Sequence, residues 1–435
     1  MPERVRFAPS PTGEIHIGNV RTALYNAFLA EGGHFLLRFD DTDAERSKEA
    51  FVTQIRADLA WLGVRVDEET RQSARLSAYD AAASDLRARG LLYPCYETPE
   101  ELERKRALQR AKGRPPVYDR SALSLSDEAR AALEAEGRRP HWRFKLPEGS
   151  RTFDDLCRGP QTVNLETVSD PILVRADGSY LYTLPSVVDD LAFEITTVVR
   201  GEDHVTNSGV QIAIFEALGG TAPRFAHHNL LIRADGEPLS KRDNPLSIRA
   251  LAEGGYEPMA VAALATLTGT SKPVQPAESL AALGAAVSLS DVSRAPAQFD
   301  PRELRQLNAA IVHTLDAPER VDALLWETVR ENLTFRADVA AWQARAEAAP
   351  EALLSEVAFG ADERDVLAAA EGASATDFKE MSAAVKAATG KKGKAAFLPL
   401  RKALTGVEAG PNLGPWLTII GPERAKARLS FAAKA

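Results

Sequence analysis

The stretch Arg6–Arg21, RFAPSPTGEIHIGNVR, limits what this chain can fold into more than any other. Val5 to Ala8 is apolar and β-prone enough for a short buried strand. Pro9, Pro11 and Gly13 then break regular structure, and Ile17, Val20, Leu24, Ala27 and Phe28 recur at helical spacing. The spacing predicts strand, loop, helix. At the end of a parallel strand, that order aims the free N–H groups and partial positive charge of a helix N-terminus at an anionic ligand. His16 and Gly18 fall in the first turn, where glycine admits close approach and an imidazole can donate to a phosphoryl oxygen. Either residue alone is as readily structural.

Gly32 and Gly33 mark a stop, and His34–Phe39 (HFLLRF) reads as a second buried strand ending in Asp40, Asp41, Thr42 and Asp43. In open α/β sheets the carboxyl ends of strands line the ligand crevice, so Asp40 is placed to hold an ammonium group, whereas Asp43 suits a solvated turn or helix cap. Val52, Ile55, Leu59 and Leu62 then make an amphipathic helix ending at Gly63. Strand and helix thus alternate twice in about sixty residues, the pattern of a doubly wound parallel sheet.

The alternation breaks near residue 80. Leu91–Tyr96 is followed by a basic helical run, ELERKRALQRAKGRPP, and by short β-like pieces, HWRFKL and TFDDL, which together read as an inserted domain. Its cations from Arg104 to Arg114 make either a solvated helix face or a phosphate-backbone contact. The α/β pattern returns near Tyr180: Glu194–Val199 is expected as a strand, Arg200–Thr206 as a loop, and Asn207 as the cap of a helix that Gly219 ends. Arg200, at that strand's carboxyl end, could clamp a carboxylate through its planar guanidinium or pair with Asp189, Asp190 or Asp203. Further on, Leu230 and Leu231 precede the turn ADGEP and then Leu239, Ser240, Lys241 and Arg242.

From Leu246 the pattern is helical, with Met259–Leu267, Leu280–Val287 and Pro301–Leu307 as the clearest segments. The balance of 53 basic to 61 acidic residues gives a net charge of −8, so this is no polycation that coats nucleic acid indiscriminately. Any RNA contact must be local. Between residues 391 and 428, eight basic residues (Lys391, Lys392, Lys394, Arg401, Lys402, Arg424, Lys426, Arg428) stand against only Glu408 and Glu423, the best candidate for such a contact outside the insertion. Two cysteines, Cys95 and Cys157, suit a reduced compartment, and neither a signal peptide nor a membrane span is expected.

Two motifs, in this order, carry a resemblance. His16, Ile17, Gly18 and Asn19 resemble the HIGH signature of class I aminoacyl-tRNA synthetases in its glutamyl-tRNA synthetase variant, with Asn19 at the second histidine. Residues 238–242 resemble the second signature, KMSKS: Ser240 and Lys241 match, Pro238 stands at its first lysine and Arg242 at its last position. The resemblance implies a Rossmann-type doubly wound sheet (1–82 and 181–238), an inserted α+β acceptor-binding domain (83–180), a stem-contact region (239–310) and all-α anticodon-binding domains (311–435). It implies ATP with Mg²⁺, L-glutamate and tRNA(Glu) as substrates and a monomeric, cytoplasmic ligase that needs bound tRNA to activate glutamate efficiently.

By the same resemblance His16, Asn19, Ser240 and Lys241 act on the phosphates, with Gly18, Leu230 and Leu231 also at ATP. Arg6, Tyr182 and Arg200 face the carboxylates of glutamate, and Ala8, Ser10 and Asp40 its amino group, with Ser186 and Asp203 bordering the pocket. Many relatives carry zinc in the insertion on a Cys-x-Cys pair with later Cys, Tyr or His ligands. Here Cys95 is followed by Tyr96 and Glu97, and Ser121 follows Tyr118, Asp119 and Arg120, so too few thiolates remain and no zinc is expected. The alternatives are an enzyme that also charges tRNA(Gln) and a catalytically silent tRNA-binding paralogue. A glutaminyl-tRNA synthetase would carry a β-barrel where this chain is helical, and an unrelated nucleotidyltransferase would have no use for a basic helical C-terminal region.

Overall fold

The computed structural model describes residues 2–233, 236–237 and 246–435, so Ser240 and Lys241 lie outside the described residues. The chain divides into two compact units, Met1–Gly254 with Val261–Asp300 and Gly255–Ala260 with Pro301–Ala435.

In the first unit the strands are β1 (Arg4–Phe7), β2 (His34–Phe39), β3 (Glu68–Arg71), β4 (Leu92–Cys95), β5 (His141–Phe144), β6 (Ser150–Asp155), β7 (Gly159–Asn164), β8 (Ile172–Val174), β9 (Thr197–Gly201) and β10 (Arg224–His228). The helices used below are α1 (Ile17–Leu29), α2 (Glu49–Trp61), α3 (Leu76–Ala88), α4 (Pro99–Ala111), α5 (Asp127–Ala135), α6 (Thr183–Ala192) and α7 (Val205–Ala217). Seven strands form one sheet in the order β3-β2-β1-β9-β10-β6-β7, parallel throughout except for the β6–β7 hairpin. β1 is central because Val5 and Phe7 are buried and both its edges are paired, to β2 and to β9. This is the Rossmann-like arrangement, and it brings the carboxyl ends of β1, β2 and β9 side by side.

The insertion builds a separate antiparallel sheet, β4-β5-β8, while β6 and β7, from the same stretch of sequence, extend the main sheet. Glu194 departs from its expected strand. It takes a left-handed backbone (φ 52°) as the chain leaves α6, and β9 starts only at Thr197. Asn207 is no cap either, because α7 already begins at Val205 after a 3-10 turn over Glu202–His204.

α2 contains a strained acid. Asp58 is 3% exposed; one carboxylate oxygen accepts from Gln54 at 2.7 Å and the other has no partner among the described residues. Burial pushes its pKa up to about 6 from 3.8, and Glu14 adds to the effect. Between those values the folded chain keeps a proton that the unfolded chain has released, so stability falls as pH rises through the window. Asp58→Asn should therefore stabilise the protein by up to about 3 kcal/mol near neutral pH and by little below about pH 4. Urea melts at the two pH values check this; an equal gain at both would locate the effect in packing instead.

The second unit is helical, and its core gathers Trp326, Val366, Leu367, Met381, Val385, Leu400, Trp416, Leu417 and Leu429. Each tryptophan N–H finds a carbonyl, Trp326 at Leu315 (2.9 Å) and Trp416 at Leu404 (3.0 Å). The proposed basic patch is partly structural. Arg428 is wholly buried, and its guanidinium donates to the carbonyls of Leu404 (2.7 Å), Arg345 (2.6 Å), Ala346 (3.0 Å) and Ala348 (3.0 Å). Lys402 is buried too, bonded to Glu363 (3.0 Å) and to the Ala358 carbonyl (2.8 Å). Lys392, Lys394, Arg424 and Lys426 are exposed. No helix among the described residues is long and apolar enough to cross a membrane.

Candidate active site

A cavity of about 550 Å³ opens at the carboxyl ends of β1, β2 and β9, and every described residue that the resemblance places at the substrates lines it: Arg6, Ala8, Ser10, His16, Gly18, Asn19, Asp40, Tyr182, Ser186, Arg200, Asp203, Leu230 and Leu231. Two segments almost two hundred residues apart therefore share one pocket.

One wall is the start of α1. Ile17, Val20 and Leu24 are fully buried and fix the helix against the sheet. His16 is its N-cap, with extended backbone (φ −108°, ψ 172°), and its Nδ1 accepts from the Gly18 N–H at 3.1 Å. With Nδ1 occupied as an acceptor, a neutral ring carries its proton on Nε2, so that nitrogen is the donor. Asn19 completes a capping box: its Oδ1 accepts from the His16 N–H at 3.2 Å, leaving the amide NH₂ to donate elsewhere. Gly18 permits the fold-back, since a Cβ there would lie 3.0 Å from His16 Cε1 and 3.1 Å from Nδ1. Gly18→Ala should displace the imidazole and slow about tenfold any reaction that uses it as a positioned donor. Circular dichroism should show α1 intact, since alanine favours helix; an unchanged rate would show that the imidazole position is immaterial.

The opposite wall is a cluster of buried charge. Arg6, Arg38 and Arg200 come from β1, β2 and β9 and are 5%, 1% and 8% exposed. Asp190, on α6, binds Arg38 at 2.8 Å and Arg6 at 3.3 Å; Asp40 takes Arg38 Nε at 2.7 Å. Ser186 Oγ accepts from Arg38 at 3.3 Å. Asp189 belongs to a neighbouring group, bonded to Arg75 (2.6 Å) and to the Tyr79 hydroxyl (2.9 Å). Burial works to lower the Arg38 pKa, but Asp40, Asp190 and Asp189 together raise it. Burial pushes the Asp40 carboxyl up, against the pull of Arg38.

Arg200 is different. None of Asp189, Asp190 and Asp203 forms an ion pair with it; Nε donates to His227 Nε2 (3.4 Å), and one terminal nitrogen donates to Ser208 Oγ (2.6 Å) and Gln211 Oε1 (2.7 Å). Burial, with Arg6 adding to it, lowers its pKa to about 10. Its other terminal nitrogen has no protein partner among the described residues. A buried guanidinium held by neutral groups calls for an anion, because an isolated charge out of water costs several kcal/mol, roughly what a well-placed carboxylate returns. Tyr182 stands at the rim, 39% exposed and edge-on to His204. Gly201 is needed beside it: a Cβ there would meet Asp203 Oδ1 at 2.5 Å and Leu230 Cδ2 at 3.1 Å.

The sequence reading missed Arg38 and Arg21, and Asp190, which it offered as a partner of Arg200, pairs with Arg38 and Arg6 instead. Arg38 sits inside an apolar strand, and a charge amid HFLLRF was the available signal. Arg21 lines the cavity fully buried, bonded to the Tyr25 hydroxyl (3.3 Å), with Nε and one terminal nitrogen unpartnered among the described residues. Beside it His228, bonded to Thr22 Oγ1 at 2.8 Å, is pushed down to about 3 by burial and then by Arg21, so it is neutral. Downstream of residues 238–245, Ser247 bridges to His16, and the Ile248 N–H bonds the Ile15 carbonyl at 3.1 Å. The chain thus returns to the start of α1 directly after the second motif.

In the insertion, Cys95, Glu97 and His141 offer one ligand atom each, all within 4.8 Å of one another. His141 is a neighbour the sequence reading did not find. The donor set suits a metal poorly. The Lys105 ammonium already holds Glu97 Oε1 (3.3 Å), Asp119 (3.2 Å) and Ser121 Oγ (2.5 Å), and Tyr118 donates to the same Glu97 oxygen at 2.8 Å. Arg143 lies over the Tyr118 ring at 4.2 Å, a second cation in place. Burial pushes the lone thiol, Cys95, up to about 11, away from the thiolate a metal needs.

The model of the class I tRNA synthetases (E and Q) catalytic domain matches residues 3–306, and that of an anticodon-binding domain matches 330–433. A protein of Methylobacterium sp. (strain 4-46) named glutamate–tRNA ligase 2 is 56% identical over 440 residues, covering 98% of both chains. One from Brucella ovis named glutamate–tRNA ligase 1 is 50% identical over 455 residues, covering 98% of this chain and 99% of its own. The crystal structure of a glutamate tRNA ligase from Elizabethkingia meningosepticum CCUG26117, in complex with its amino acid, superposes with a TM-score of 0.83 at 27% identity, covering 100% of each chain.

Proposed function

From a chain that belongs to the class I tRNA synthetases of glutamate and glutamine, we infer a division of labour in the cavity that would make glutamyl-AMP at one end and release pyrophosphate at the other. The protein is a glutamate–tRNA ligase and uses ATP. Its chemistry needs no protein nucleophile, since the substrate carboxylate attacks the α-phosphorus itself. Positioning and charge carry the rate.

The unpaired Arg200 is the observation that supports this reading most directly. We assign it and Arg6 to the glutamate carboxylates, with Tyr182 beside them. Asp40 serves the ammonium group together with Ala8 and Ser10, and Ser186 and Asp203 shape the walls. Asp40 can do this only while sharing its charge with Arg38. His16 Nε2, the Asn19 amide and the first N–H groups of α1 are the donors for the phosphates, and Leu230 and Leu231 the apolar bed for adenine. Lys241 and Ser240 join them on the strength of the sequence motif. Mg²⁺ would arrive with the triphosphate; among the described residues, the three grouped closely enough to hold a metal, Cys95, Glu97 and His141, do not line this cavity. The exposed Lys392, Lys394, Arg424 and Lys426 remain the cations for RNA in the second unit.

Pyrophosphate exchange into ATP, with glutamate or glutamine and with or without tRNA, tests the reading. Exchange with glutamate alone among the two amino acids is expected, and no exchange under any condition would overturn it. Aminoacylation of purified tRNA(Glu) and tRNA(Gln) then separates a discriminating from a non-discriminating enzyme.

The insertion folds, in this reading, around Lys105 in place of zinc. Purified protein should contain less than about 0.1 zinc per chain after dialysis, and a chelator should leave its melting unchanged, since structural zinc contributes folding energy outright. One tightly held zinc whose removal loosens residues 92–124 in hydrogen exchange would refute this.

A further inference from the structure

Behind the cavity, three residues that are not among those lining it form an Asp-His-Ser series. Asp155 ends β6, His227 lies in β10 as the register partner of Arg200 in β9, and Ser208 is on α7. Asp155 Oδ2 meets His227 Nδ1 at 2.5 Å, and His227 Nε2 meets Ser208 Oγ at 2.9 Å. On an open surface this order of groups would resemble a hydrolytic triad. Here Asp155, Ser208 and His227 are 4%, 0% and 0% exposed, and Ser208 Oγ is already bound to a guanidinium, so no acyl group can reach it.

The series leads to Arg200. Asp155 is held as a carboxylate by the backbone N–H groups of Cys157 (2.9 Å), Arg158 (2.9 Å) and His227 (3.1 Å). It therefore accepts from His227 Nδ1–H and fixes the tautomer, which turns the Nε2 lone pair toward Arg200 Nε and Ser208. Ser208 and Gln211 take the adjacent terminal nitrogen of Arg200. Each neighbour on this side is an acceptor and carries no charge. The guanidinium is thus oriented without being neutralised, and its remaining edge faces the cavity with its charge intact.

We infer that Asp155 and His227 are positioning residues of the amino acid site: they aim Arg200 at a substrate carboxylate and keep acidic partners off it. Burial of the imidazole, with the nearby guanidinium, also holds His227 below its ordinary pKa, consistent with an accepting Nε2. The inference rests on the assignment of Arg200 to glutamate, and the tests separate the two.

Steady-state exchange kinetics on the full chain read it. Arg200→Met should raise the KM for glutamate with little change in that for ATP; if it does not, the assignment of Arg200 falls. Given that effect, His227→Phe, which keeps the ring volume and removes the acceptor, should raise the glutamate KM about ten- to a hundredfold at nearly constant ATP KM, the scale of a lost hydrogen bond to a charged group. His227→Gln should recover most of it. In the Arg200→Met background, His227→Phe should add less than about twofold, since a residue acting through another has nothing left to act on. Equal effects on both substrates, or full additivity, would overturn the positioning role. Should His227→Phe fail to fold, Asp155→Asn replaces it: the amide can donate to Nδ1 and force the other tautomer, with the same selective rise expected and an unchanged glutamate KM overturning the inference.

Discussion

Replacing Arg200 by methionine is expected to raise the glutamate concentration for half-maximal exchange by about a hundred- to a thousandfold while moving that for ATP less than about threefold. The size follows from burial. The guanidinium is 8% exposed and meets only neutral acceptors, so a substrate carboxylate finds there a charge that neither water nor protein has quenched. Losing one partner of such a pair costs about 2–5 kcal/mol, part of it from the carboxylate left without a counter-charge. Arg200→Lys should recover little, because the three donors of an ammonium cannot keep the His227, Ser208 and Gln211 bonds and also hold a carboxylate. Parallel KM measurements for both substrates check this, and matched increases would indicate a collapsed pocket.

The second large effect is on stability. Arg38→Met should lower the free energy of unfolding by about 3–5 kcal/mol, because it strands the nearly buried Asp40 carboxylate and leaves Asp190 with Arg6 alone. Without Arg38, burial favours a proton on Asp40, so the deficit should shrink as pH falls from about 7 toward the carboxyl range. Denaturant melts at two pH values would reveal it. A constant deficit would mean that Arg38 matters for its volume alone. Asp190→Asn is the complementary change: it leaves Arg38 with Asp40 but deprives Arg6 of its ion pair, so it should cost less stability.

Much of this site was legible because local chemistry and tertiary packing agree there. The helical recurrence of Ile17, Val20 and Leu24 marks a face that is buried, and Gly18 and His16 occupy the turn where a helix end can take an anion. Arg200 was found because strands of a parallel sheet deliver their carboxyl ends to one crevice. Arg38 was not: its charge amid HFLLRF stands out, but its partner Asp190 arrives from a distant helix, and only that meeting explains it. Asn207 was misread because a capping residue is recognised by its side chain, whereas α7 starts two residues earlier without any side-chain cap. Lys105 shows the same limit. In sequence it is one cation of a basic run, yet its ammonium turns back to Glu97, Asp119 and Ser121. Composition reports how many charges a segment holds, and only geometry reports which way they face.

Arg428 shows what that means for the C-terminal helices. The carbonyls it gathers come from the ends of two earlier helices, Val339–Glu347 and Lys394–Thr405, where the helical ladder has run out of its own N–H groups. A single late side chain therefore works as a shared stopper, closing segments laid down some twenty-four and eighty residues before it. The tail is accordingly a poor place to shorten the molecule: trimming from this residue onward would uncork both ends at once, while a tag appended after Ala435 leaves the stopper seated.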